Sequence, residues 1–205
     1  MGLVLAPLAV IAQWILSQII LLYNPSIQIS NYSWFYVGAA LIEEVVKFLA
    51  VQFVVIHNPE FDEPIDAMEY MIASALGFAA IENILVLFQS IPNGTAGTIQ
   101  VWFYRFAGAT FLHALSSAIV GYFLALSWFH NKHSEKLIPV GLLLATIVHF
   151  VFNGLVLYSV SQSVGLLNSS LFLIITALVI SAFFLHLRRT EEEDEAKHNF
   201  STNHV

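Results

Sequence analysis

The chain has 205 residues, 58% of them hydrophobic and only 10% charged, against about 25% charged in an average soluble domain. With so few polar side chains it cannot coat a globule of this size in water, so a single membrane-embedded domain is the expectation. The net charge of −7 excludes nucleic acid as an expected partner, and the absence of cysteine excludes a disulfide framework, a thiolate metal site and a cysteine nucleophile.

Six apolar stretches follow in chain order, at 3–23, 33–56, 68–91, 102–129, 137–159 and 169–187. Each is near the ~20 residues that a helix needs to cross a ~30 Å hydrocarbon layer. The first has no basic n-region and no small-residue cleavage site, so it reads as a retained helix. Between the second and third, His57 to Asp66 is acidic and proline-punctuated, as expected of a water-exposed loop. The absence of an internal repeat weakens a transporter reading. Residues 190–205 combine low hydrophobicity with a run of acids, which predicts a disordered acidic cytoplasmic tail after one transmembrane domain at 1–189. The fold class is therefore all-α: a polytopic bundle of about six transmembrane helices.

Six crossings put both termini on one side. Lys132, Lys136, Arg188, Arg189 and Lys197 all fall there, whereas the opposite loops near 24–32, 92–101 and 160–168 hold no Lys or Arg. Cytoplasmic loops retain positive charge, so both termini are expected in the cytoplasm. Arg105 stands three residues inside its outer boundary and reads as snorkelling to the interface. His57, His130, His133, His186 and His198 read as solvated.

The informative residues are the ionisable ones inside apolar segments: Glu43, Glu44, Lys47, Glu82, His113 and His149, with Asn83 and Asn153. Four charges at helix centres would cost roughly 10–14 kcal/mol unless they pair, neutralise or line a wet cavity. Glu43, Glu82, His113 and His149 each fall about nine to eleven residues from the outer end of their helix. At 1.5 Å per residue all four lie about 15 Å deep, so four helices bring polar groups to one level near the midplane.

A carboxylate beside an imidazole in a water-filled pocket is the minimal apparatus for activating water, and peptide hydrolysis is its natural use. Glu43 and Glu44 point about 100° apart on a helix and cannot share a job. Glu43 takes the base role. Glu44 could hold Lys47 or orient another group, although spacing equally allows Glu43 to pair with Lys47. Ser116 and Ser117 are expected to bond their own backbone. The three aspartates, Asp62, Asp66 and Asp194, lie outside the apolar segments, which excludes an aspartyl dyad. Two other classes use the same residues: a non-catalytic binding or protective membrane protein that keeps the polar centre for packing, and a proton or ion pathway.

Glu43-Glu44-Val45-Val46-Lys47 matches a Glu-Glu-x-x-Lys motif, and Phe78-Ala79-Ala80-Ile81-Glu82-Asn83 a Phe-x-x-x-Glu-Asn motif. Two later helices carry His113 and His149-x-x-x-Asn153. The set resembles the PrsW family of intramembrane proteases, related to the CAAX prenyl endopeptidases and the bacterial Abi proteins. The resemblance implies that Glu43 activates water with help from His113 and that His149 and Asn153 form the oxyanion site. Glu44, Lys47 and Glu82 would complete the polar centre. It implies no cofactor in a glutamate-type enzyme, or zinc on Glu82, His113 and His149 in a metalloprotease, although no His-Glu-x-x-His segment is present. The implied substrate is a membrane-anchored protein such as an anti-sigma-factor-like regulator, in a prokaryotic cell membrane.

Overall fold

The apolar stretches fold as helices throughout the computed structural model, which describes residues 1–31, 33–130, 136–157 and 162–202, without the side chains at 31, 93, 130, 162 and 194–202. The helices are α1 (Gly2–Tyr23), α2 (Ser33–Val54), α3 (Pro64–Ser90), α4 (Gly94–Tyr104), α5 (Thr110–Ala125), α6 (Leu137–Leu157) and α7 (Gln162–Thr202). A π turn at Arg105–Ala109 joins α4 to α5, and a second at Leu126–His130 follows α5. No strand occurs among the described residues. The protein is a multi-pass helical membrane protein.

Among the described residues, five stretches are long and apolar enough to cross a membrane: Gly2–Tyr23, Pro64–Ser90, Gly94–Phe129, Leu137–Leu157 and Ser163–Glu193. The remaining long helix, α2, equals α1 in length at 22 residues. Its composition sets it apart because Glu43, Glu44 and Lys47 all lie in it, and all three are buried against protein.

The boundaries differ from the sequence expectation chiefly at the start of α4 and at both ends of α7, which begins at Gln162 within a segment expected as a loop. Residues 94–101, expected in an outer loop, are already helical, because nothing after Gly94 interrupts the helix until the π turn. At the other end α7 continues to Thr202, through the segment expected to be disordered. An Arg188–Glu192 pair one turn apart, 3.3 Å between charged atoms, supports the continuation. Lys132 and His133 fall outside the described residues, as do the side chains of His130, Lys197 and His198.

α5 is buried on nearly every face, from Leu112 to Ala125, and is the central helix. Its small residues let α3 approach closely. A Cβ placed on Gly121 would fall 2.6 Å from both the Ala67 carbonyl oxygen and Met68 Cα. Because the obstacle is backbone, Gly121→Ala should push α3 and α5 apart and cost about 1–3 kcal/mol, read as a lower unfolding temperature in detergent.

The acidic loop before α3 is exposed as expected, apart from Phe61. Phe61 is buried against Tyr70, Trp128 and Phe129. The Asp66 carboxylate accepts the backbone N–H groups of Glu63 and Asp62, at 2.9 and 3.1 Å, and Pro64 opens the helix. His186 is exposed, as expected, with its Nδ1 3.2 Å from the Tyr122 hydroxyl.

Candidate active site

Glu43, Glu44 and Lys47 come from α2, Glu82 from α3, His113 from α5 and His149 from α6, and the six side chains meet. The common level inferred from helix counting thus corresponds to direct contact. An i, i+3 spacing puts Lys47 Nζ 2.9 Å from Glu44 Oε1, with both side chains fully buried.

Glu44 is saturated. Its Oε1 accepts from Lys47 Nζ, from Ser116 Oγ at 2.9 Å and from His149 Nδ1 at 3.1 Å, while its Oε2 accepts from Ser117 Oγ at 2.8 Å. Four donors leave this carboxylate no capacity to take a proton from water. Ser116 and Ser117 therefore depart from expectation: both bond Glu44, and only Ser116 also reaches its own helix backbone, at the His113 carbonyl.

Glu43 is the opposite case. Its Oε1 accepts from Gln13 Nε2 of α1 at 2.8 Å, and its buried Oε2 has no hydrogen-bond partner among the described residues. Around that oxygen stand His149 Nε2 at 3.6 Å, His113 Nδ1 at 3.8 Å and Lys47 Nζ at 4.0 Å.

The tautomers follow from the other ring atoms. His113 Nε2 lies 2.6 Å from Glu82 Oε2, so it carries the proton, and its Nδ1 accepts from Lys47 Nζ at 2.8 Å. His149 donates from Nδ1 to Glu44, which leaves an Nε2 lone pair facing Glu43 Oε2. Two acceptors that face each other in a dry interior require a shared proton, a water or a cation between them. Phe78 closes one side, 4.8 Å from Lys47 Nζ to its ring centre and 5.7 Å from the His113 ring.

Arg105 pairs inward instead of extending away from the bundle. Its Nη2 lies 3.0 Å from Glu82 Oε2, and its Nε donates to Asn83 Oδ1 at 2.8 Å. Because α4 begins at Gly94, Arg105 stands further along its helix than a start at 102 suggests. Asn83 also donates to Thr110 Oγ1, and so ties α3 to both sides of the π turn. Nη2 and Glu82 are paired as charges, yet Nη2 lacks an aligned acceptor.

A cavity of about 770 Å³ adjoins the centre, bounded by Tyr36, Tyr104, Arg105, Phe152 and Asn153 among others, with Glu82 in its wall. Asn153, one helical turn beyond His149, thus faces the cavity and is half-buried. A smaller void of about 30 Å³ lies between Gln13, Glu43 and Glu82. Glu82 borders both.

Donor atoms of Glu43, His113 and His149 lie within 4.8 Å of one another, the one group among the described residues able to hold a metal ion. Two imidazoles and a carboxylate are a catalytic zinc donor set. Each ligand's other polar atom is held, Glu43 by Gln13, His113 by Glu82 and His149 by Glu44, as metal ligands require. The residues therefore fit zinc, provided Lys47 withdraws from His113 Nδ1. Glu82, expected as a ligand, instead holds the far nitrogen of His113.

A buried carboxylate–imidazole centre shared by four helices defines a polytopic membrane protein with a polar site enclosed in its helix bundle. The family profile described as PrsW family intramembrane metalloprotease matches residues 1–186, and the chain belongs to that family. Relatives named Protease PrsW include those of Oceanobacillus iheyensis, 35% identical over 60% of this chain and 56% of that one, and Geobacillus kaustophilus, 36% identical over 60% and 51%. That of Clostridioides difficile is 30% identical over 64% of this chain and 55% of its own. The chain spans about half the length of the curated relatives it matches. No solved structure matches it.

Proposed function

We propose that the chain is an intramembrane endopeptidase that cleaves a membrane-anchored protein by a water activated on Glu43. The observation that carries this reading is the buried Glu43 Oε2, unpartnered and aimed between two imidazoles and an ammonium. A water there donates to Oε2, and Glu43 removes its proton as the oxygen attacks the peptide carbonyl. Protonated Glu43 then donates to His113 Nδ1 as Lys47 leaves it, and His113, held by Glu82, passes the proton toward the leaving amine. His149 and Asn153, on one face of α6, would receive the oxyanion, His149 once protonated at Nε2. Glu44 is assigned no proton transfer: it fixes Lys47 and His149.

The metalloprotease reading is favoured by the converging donors of Glu43, His113 and His149 and by the family's description. Zinc bound there would supply a Lewis acid. The glutamate-type reading is preferred because Lys47 already places a positive charge at the centre.

Substrate is proposed to enter through the large cavity, where Glu82 and Asn153 are exposed to it. The narrower assignments rest on family likeness and on the Lys/Arg distribution: an anti-sigma-factor-like substrate, cytoplasmic termini and a prokaryotic membrane.

The test is His149→Ala in purified protein, assayed on a fluorogenic single-span peptide. Removal of the oxyanion donor should lower turnover by about 10²–10³-fold with helical content unchanged. Full activity would remove the assignment. Zinc content decides between the two chemistries: stoichiometric zinc lost on His113→Ala selects the metal, and zinc-free active protein selects the glutamate.

A further inference from the structure

α1 is largely turned outward, with Trp14 exposed halfway along it. Beside Trp14, Gln13 points inward and makes the one hydrogen bond that Glu43 receives among the described residues. A polar amide within an apolar membrane helix is stable only when it finds such a partner across helices.

The height of α1 is set by close approaches. A Cβ on Gly2 would fall 1.9 Å from the Ser74 carbonyl oxygen, and one on Gly77 3.1 Å from the Leu3 nitrogen. Ser74 in turn donates to the Lys47 carbonyl, one turn from Glu43. The docking of α1 on α3 is therefore continuous with the backbone that presents the base. With Oε1 held by Gln13, the carboxylate cannot rotate freely, and Oε2 stays toward His113 and His149. The void of about 30 Å³ beside Gln13, Glu43 and Glu82 exceeds the ~10–15 Å³ that a single water needs.

We propose that α1 is part of the catalytic apparatus: Gln13 is a positioning residue that locks the Glu43 carboxylate, beside a void with room for a single water. Each cleavage uses one water, its hydroxyl going to the acyl carbon and its other proton to the departing amine. The inference rests on the reading of Glu43 as the base.

The experiment uses the full chain in detergent and a fluorogenic single-span peptide that the wild type cleaves. Gln13→Met keeps the volume and removes the donor. It should lower kcat by about 10²-fold, as a misplaced reacting group does, with KM within about twofold. Gln13→Asn, one methylene short but still a donor, should fall between Gln13→Met and wild type. The inference is overturned if Gln13→Met keeps the wild-type kcat, or if its loss lies in KM or merely tracks the folded fraction. Glu43→Gln assayed alongside separates the layers: an active Glu43→Gln sinks the base assignment itself. An inactive Glu43→Gln beside an unaffected Gln13→Met sinks only the role of α1.

Discussion

Glu43→Gln should lower peptide cleavage by about 10²–10⁴-fold, the range that general-base catalysis supplies, and leave the fold intact. The geometry separates the two effects. The side-chain carbonyl that the substitution retains can still accept from Gln13, and the amide it introduces can donate to the His149 Nε2 lone pair that faced Oε2. The variant thus replaces a buried unpartnered oxygen with a satisfied donor and loses the ability to accept a proton, together with a long charge contact to Lys47, which keeps its closer pair with Glu44. Turnover of a single-span peptide and unfolding temperature in the same detergent are the paired measurements. Wild-type turnover would remove Glu43 from the reaction.

Lys47→Met should have the largest effect on stability, about 3–5 kcal/mol, the usual cost of stranding one partner of a buried ion pair. Lys47 and Glu44 are both fully buried, and Lys47 also donates to His113. Its removal leaves Glu44 with neutral donors and His113 Nδ1 with none. Against a total of about 5–15 kcal/mol, such a loss should be visible as poor recovery of folded protein. Adding Glu44→Gln should restore part of it, because the stranded charge is gone, and the coupling of the two changes measures the pair. A single variant as stable as wild type would mean that Glu44 does not depend on Lys47.

How far the site could be read from the chain depends on the kind of residue. Glu43, Glu44, Lys47, Glu82, His113 and His149 announce themselves because a charge or imidazole in an apolar run is too costly to be incidental, and all six converge. Their separate tasks were only half legible: spacing showed that Glu43 and Glu44 differ, but not that two serines of α5 would saturate Glu44. Gln13 was missed because an uncharged amide carries a small insertion penalty and belongs to no motif; its only signal is its place near the middle of a 22-residue apolar helix. Arg105 was misjudged through the boundary of its helix, which begins at Gly94, and through the π turn that shifts its facing. The helix beyond Arg189 was hidden because acidic composition reads as disorder until local pairs such as Arg188–Glu192 are included.

The wall between the large cavity and the small chamber is formed in part by Glu82, clasped by Arg105. A partition of two opposite charges opens differently from an oily plug. A peptide backbone arriving from the cavity can offer its carbonyl to the guanidinium and its N–H to the carboxylate, trading one set of polar partners for another. Passage then leaves no apolar face bare, and an unbroken helix, whose backbone groups already bond one another, has nothing to exchange. For the proposed endopeptidase, unwound segments would thereby be admitted over intact ones.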